Sequence, residues 1–208
     1  MALFKLEYQS GNFSIRHSDQ MIDLPFHSQS NSLSAQVWDD IVEVFEVSRQ
    51  LSEWFSQIMG MNCRLVSFPE SNARPVDPVY AISDDHVSLA DAYPLLITGQ
   101  SSLDDLNSRL QETLPMNRFR PNIVFINGQP YEEDNWRNFR IGKNRFAAVK
   151  PCARCVTTTV NQDTGIKGIE PLATLSTYRM RENKVYFGQN LIPIDHNEIA
   201  EGDEIVLG

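Results

Sequence analysis

Apolar and polar residues alternate in short pieces from Phe4 to Leu24, interrupted at Ser10, Gly11 and Asp19, which predicts strands joined by tight turns. A polar stretch, His27 to Ser34, follows. The period then changes: Val47, Leu51, Trp54, Phe55, Ile58 and Met59 recur at helical spacing, with Ser48 as a cap and Gly60 as a stop. That predicts a core-facing helix. Cys63 to Phe68 reads as a buried strand, and the proline-bearing stretch Pro69 to Pro78 as a linker between two halves. A second helix is announced by Ser101 as cap, with Asp104 completing an approximate capping box; Leu103, Leu106 and Leu110 form its stripe, and Leu114 and Pro115 end it. Beyond Arg120 the chain turns strand-rich: Asn122 to Ile126, Phe139 to Ile141, Phe146 to Val149, Cys155 to Val160, Val185 to Phe187 and Glu204 to Leu207. Turn signals at Asn127-Gly128, Gly142, Asp163 to Gly165 and Gly202-Asp203 separate them. Short strands at this spacing predict a mainly β, α+β fold: a barrel or sandwich with a few flanking helices.

The length of 208 residues suffices for a core that needs no staple. Eighteen basic against twenty-seven acidic residues leave a net charge of −9, which argues against nucleic acid or an anionic membrane as partner. The apolar runs are far shorter than the roughly 20 residues that cross a bilayer. No secretion signal is visible after Met1, and three cysteines, an odd number, suit a reducing compartment. A soluble, cytoplasmic protein is expected.

The segment richest in chemistry runs from Pro151 through Cys152-Ala153-Arg154-Cys155 to Val160. Half a zinc site would need partners that Cys63 and four scattered histidines do not supply, so no zinc is expected. An iron–sulfur cluster normally takes four thiolates, so none is expected within this chain. A thioredoxin-like dithiol wants a helix N-terminus, whereas Val156 to Val160 are five β-branched residues that favour a strand, although Arg154 could still help hold a thiolate. Two cysteines that only pack are a further reading. What remains is a thiolate at a strand edge, either a single ligand to a soft metal or a carrier of sulfur. A metal delivered inside an organic cofactor needs few protein ligands but does need donors for its anionic groups. Arg118, Arg120 and Asn122 offer these, with Pro121 fixing the backbone direction; solvated surface arginines are the alternative. Thr98, Gln100 and Ser101 at a helix start offer hydroxyls and amides to an anion, though a simple cap also accounts for Ser101. His17, His27, His86 and His196 are isolated and read as surface or core filler.

The strings Phe119-Arg120-Pro121-Asn122-Ile123-Val124, Glu133-Asp134-Asn135-Trp136, Ile141-Gly142, Lys150-Pro151-Cys152-Ala153-Arg154-Cys155, Thr158-Thr159-Val160, Asp163-Thr164-Gly165, Glu170-Pro171-Leu172 and Phe187-Gly188-Gln189-Asn190 resemble, in order, the MOSC family. The branch is the one holding the mitochondrial amidoxime-reducing component and bacterial iron–sulfur MOSC proteins. The resemblance implies a β-barrel over residues 73–208, preceded by a partial N-terminal subdomain over residues 1–72. It implies a molybdenum–molybdopterin cofactor with Cys155 as metal ligand and Arg120, Asn122 and Arg154 nearby. Cys152 stands as a neighbour, and Cys63 matches no family position. The implied reaction is two-electron reduction of N-hydroxylated compounds, with electrons from a ferredoxin-like domain or a reductase. The family's opening Pro-Val-Lys-Ser-like segment and later Asp-Arg pair have no counterpart here, and the chain ends at a strand resembling the last of the barrel. A fragment, or a divergent member that has lost phosphate donors, is therefore expected. Sulfur carriage on Cys155 and a cofactor-poor scaffold that docks an electron-transfer partner are the alternatives; pyridoxal phosphate is not expected.

Overall fold

The computed structural model describes residues 1–25 and 32–208. The chain divides into two compact units, one of Met1–Arg74 with His86–Asp91, the other of Pro75–Asp85 with Ala92–Gly208. The fold is mainly β with three helices among the described residues.

In the smaller unit β1 (Lys5–Gln9), β2 (Asn12–His17) and β3 (Gln20–Leu24) form an antiparallel meander. Its turns fall at Ser10-Gly11 and Ser18-Asp19, as the alternation predicts. A second sheet joins β4 (Ser32–Val37), β5 (Asp40–Glu46) and β6 (Val66–Ser67). The β4–β5 hairpin is a departure from the sequence reading. The polar stretch expected from His27 falls partly on residues 26–31, outside the described residues, as does His27 itself, and its last residues belong to β4. Between β5 and β6 lies α1 (Arg49–Met59), where Ser48 accepts a bond from the Leu51 N–H at 3.1 Å and Gly60 closes the helix at φ +66°. Leu51 and Phe55 pack with Ile15 and Val47 to form this unit's core. The strand expected over Cys63 to Phe68 shrinks to the two residues of β6. Arg74 is buried here: it meets Asp40 at 2.7 Å and donates to the carbonyls of Ser88, Ala90 and Asp91, which ties the His86–Asp91 segment to this unit.

The larger unit is built on a sheet that curls into a half-barrel. Its strands are β7 (Leu95–Gly99), β8 (Ile123–Phe125), β9 (Asn138–Ile141), β10 (Asn144–Ala153), β11 (Met180–Arg181), β12 (Lys184–Pro193) and β13 (Ile205–Leu207). The order is β13-β9-β10-β12-β7-β8, with β11 hairpinned onto β12; β7 and β8 are parallel and the other pairs antiparallel. Ile97, Phe125, Trp136, Phe139, Phe146 and Leu191 form a buried core cluster of this unit. A second cluster, Leu103, Leu106, Phe119, Leu175 and Phe187, seats α2 (Gln100–Ser108) and α3 (Leu172–Ser176).

Two sequence expectations fail in this unit. Gly99, not Ser101, is the N-cap of α2, so Ser101 lies within its first turn. The β-branched run after Cys155 forms a 3-10 turn, Val156–Thr159, and not a strand. The Thr158 hydroxyl donates to the Cys155 carbonyl at 3.0 Å and that of Thr159 to the Val156 carbonyl at 2.8 Å, so local side-chain bonds replace a ladder.

Candidate functional site

β10 carries the chain past Cys152 to its end at Ala153, and the 3-10 turn begins immediately beyond Cys155. Cys155 is exposed, in extended conformation, and its thiol donates to Thr157 Oγ1 at 3.2 Å. The loop that follows is fastened by Asn161, whose side-chain oxygen accepts from the Asp163 and Thr164 amides, and by the Gly168 N–H bonded to the Thr159 carbonyl. Cys155 is thus presented to solvent from a braced loop.

The segment Met116–Arg118, a 3-10 turn, is stitched to this loop at two points. Arg154 Nη2 donates to the Phe119 carbonyl at 2.7 Å, and buried Arg118 donates through Nη1 to the Thr158 carbonyl at 3.3 Å. Phe119 anchors the segment, its ring stacked on Phe187 with centroids 4.0 Å apart. On the other side Asn122 is pinned to β7: its N–H donates to the Leu96 carbonyl and its side-chain oxygen accepts the Leu96 N–H, both at 2.9 Å. Between these anchors Arg120 is forced to φ +52°, a left-handed conformation that costs a non-glycine residue about 1–2 kcal/mol and that is held only where the surroundings over-determine it. Arg120 is exposed. The fold therefore ties the segment bearing Arg118 and Arg120 to the one bearing Arg154 and Cys155, in a chain that is acidic overall.

Thr98 and Ser101 sit at the junction of β7 and α2. Thr98 is fully buried, and the hydroxyls of both residues lack a partner among the described residues. A Cβ added to Gly188, itself at φ +81°, would come within 2.6 Å of Thr98 Oγ1 and 2.9 Å of the Ile97 carbonyl, so β7 and β12 approach closely here. The junction holds its own buried carboxyl group. The fully buried Glu133 accepts the Gly99 N–H at 3.1 Å and the Ser102 hydroxyl at 2.9 Å, while Ser102 Oγ accepts the Tyr131 N–H at 2.8 Å. Burial pushes the Glu133 carboxyl above its ordinary value, and the Gly99 and Ser102 bonds pull partly back.

A family model described as the MOSC domain matches residues 84–206. The chain belongs to this family. Among similar proteins are mitochondrial amidoxime-reducing component 1 of Mus musculus, 38% identical over 169 residues that make up 75% of this chain and 50% of that protein, and its Homo sapiens counterpart, 35% identical over 181 residues, 80% of this chain and 53% of that one. A molybdenum cofactor sulfurase of Oryza sativa subsp. japonica is 33% identical over 195 residues, 85% of this chain and 23% of that protein. This MOSC chain spans about half the length of the first two and about a quarter of the third.

The polar atoms of this MOSC domain fit a heteroatom-rich, anionic cofactor of the kind its family name is associated with. Buried groups normally find partners, yet Arg154 Nε, Thr98 Oγ1, Ser101 Oγ and Gln189 Oε1 have none among the described residues. Together they offer donors and an acceptor. Among the described residues no group of three or more His, Cys, Asp or Glu is placed to hold a metal ion, and of the three cysteines Cys155 is the exposed one. Sequence reasoning passed over Gly188, Gln189 and Glu133 as functional positions. An isolated glycine inside a strand pattern signals a bulge or close approach, so Gly188 was open to detection; the partners of Glu133 lie 31 and 34 residues away and carried no local signal.

Proposed function

We propose that this MOSC domain binds a molybdenum–pterin cofactor through Cys155 and serves an oxidoreductase that reduces N-hydroxylated compounds. The observation that carries the reading is the exposed Cys155 thiol on a loop that Arg118 and Arg154 tie to the segment bearing Arg120, in a chain similar to two amidoxime-reducing components. Cys155 supplies the soft thiolate, and the arginines supply planar, charge-assisted donors for phosphate and carbonyl edges. When bound, the cofactor supplies the two-electron redox chemistry. For an amidoxime the balance is the substrate plus two electrons and two protons, giving the amidine and water. The electrons come from a ferredoxin-like domain or a separate reductase. Residues 73–208 make up the cofactor-binding barrel on this reading and residues 1–72 an N-terminal MOSC-associated subdomain; the cytoplasm is the compartment. Among the described residues no helix is long and apolar enough to cross a membrane.

Similarity to a molybdenum cofactor sulfurase favours a second reading, in which exposed Cys155 carries a persulfide. One preparation separates the two: the whole chain, produced in a host that makes the pterin cofactor, assayed with an aromatic amidoxime and an artificial electron donor. The first reading expects turnover that Cys155→Ala abolishes. Cyanide-releasable sulfur on Cys155 without turnover would replace it with the second.

A further inference from the structure

Cys152 has no role in either reading, yet its sulfur is a partner of the residue next to Cys155. Arg154 Nη1 donates to Cys152 Sγ at 2.9 Å, while Nη2 donates to the Phe119 carbonyl at 2.7 Å. The guanidinium is therefore gripped at two corners, and the Phe119 ring lies beneath it with its centroid 5.6 Å from Cζ. Both grips are built into the fold. Cys152 lies in β10 at a shift in the register with β12, between Pro151 opposite Gln189 and Ala153 opposite Tyr186. Phe119 is held by its stack on Phe187, and the Arg154 backbone N–H is bonded to the Val185 carbonyl at 2.7 Å.

A guanidinium has five N–H donors in a fixed plane. Two are taken by Cys152 and Phe119, and the Nε–H is buried without a partner among the described residues. A buried donor left unpaired is unfavourable, and it persists here because the two grips fix the plane in which it lies. An arginine locked in this way has little rotamer freedom left to lose when a ligand arrives, which is how a neighbour raises affinity without touching the ligand.

We propose that Cys152 is a positioning residue, which with the Phe119 carbonyl aims the Arg154 guanidinium so that its remaining N–H groups serve the ligand bound at Cys155. The proposal rests on the cofactor-binding reading above. It makes the first cysteine of Cys-Ala-Arg-Cys neither a metal ligand nor a redox partner of Cys155. It also predicts an order among substitutions: serine, whose oxygen still accepts, is milder than alanine, which accepts nothing.

Two measurements on the whole chain test it. The first needs no cofactor: ¹⁵N-arginine NMR of the native protein is expected to show slowed rotation of the Arg154 guanidinium, which Cys152→Ala releases and Cys152→Ser largely keeps. Equal rotation in native and alanine proteins overturns the proposal. The second is pterin and molybdenum retained after purification from a cofactor-making host, where Cys152→Ala is expected to lower apparent cofactor affinity about tenfold, the usual loss for a residue that orients a ligating group. Serine is expected to recover most of that loss at unchanged melting temperature. Unchanged retention in the alanine variant overturns the proposal while leaving the cofactor reading intact. A native protein that retains neither pterin nor molybdenum removes the cofactor reading and this inference with it, even if the guanidinium proves clamped.

Discussion

Removing the Glu133 carboxylate tests how the start of α2 is held beside the candidate site. In Glu133→Ala the Gly99 N–H, bonded at 3.1 Å, and the Ser102 hydroxyl, bonded at 2.9 Å, lose their acceptor inside the protein. Each orphaned group costs about 1–3 kcal/mol, and relief of the carboxylate's own burial offsets part of the sum, so a net loss of about 3 kcal/mol is expected at neutral pH. Glu133→Gln keeps an oxygen for Gly99 and removes the charge that burial disfavours; it is expected within about 1 kcal/mol of the native protein. The pH dependence has a definite sign. Because burial raises the folded carboxyl above its ordinary value, the folded state binds the proton more tightly than the unfolded chain. This contribution is fully present below the ordinary Glu range and is lost as pH rises through the raised value, and Glu133→Gln abolishes that slope. Urea denaturation followed by amide protection of β7, β10 and β12 measures both effects. An alanine variant within about 0.5 kcal/mol of native would refute the account of Glu133 as the brace of this junction.

Two further substitutions probe the frame. Gly188→Ala meets a positive φ and the Thr98 hydroxyl and Ile97 carbonyl at under 3 Å, neither of which can swing far away. A loss of about 2 kcal/mol or more is expected in thermal denaturation, and a neutral result would contradict the close approach of β7 and β12. Ser48→Ala removes the acceptor for the Leu51 N–H and is expected to destabilise α1 by about 1 kcal/mol, read as faster amide exchange in its first turn.

What could be read in the sequence follows the range of the forces involved. Helix α1 was legible because its cap, apolar stripe and glycine stop are all local, and the same holds for the β1–β3 meander with its turns at Ser10-Gly11 and Ser18-Asp19. The β4–β5 hairpin escaped because its two-residue turn is Trp38-Asp39, with Trp38 at φ +55° where a glycine or asparagine would ordinarily signal the bend. The run after Cys155 misled because threonine's strand preference presumes a ladder partner, whereas here its hydroxyls satisfy carbonyls three residues back. Arg118, Arg120 and Arg154 could be named from their chemistry and from family resemblance. Their convergence could not, since it depends on bonds from Arg118 to Thr158 and from Arg154 to Phe119, across 40 and 35 residues. Buried Arg74, meeting Asp40 34 residues away, is invisible in sequence for the same reason.

We propose Cys155 as the one protein ligand to a metal carried in by a pterin. Molybdenum and released pterin should therefore be quantified together, by mass spectrometry and by fluorescence after oxidation, on the native chain and on Cys155→Ala from a cofactor-making host. Near-equimolar molybdenum and pterin are expected in the native protein, with molybdenum lost in the variant. Molybdenum retained at the native level in Cys155→Ala, or absent from both proteins, would contradict it.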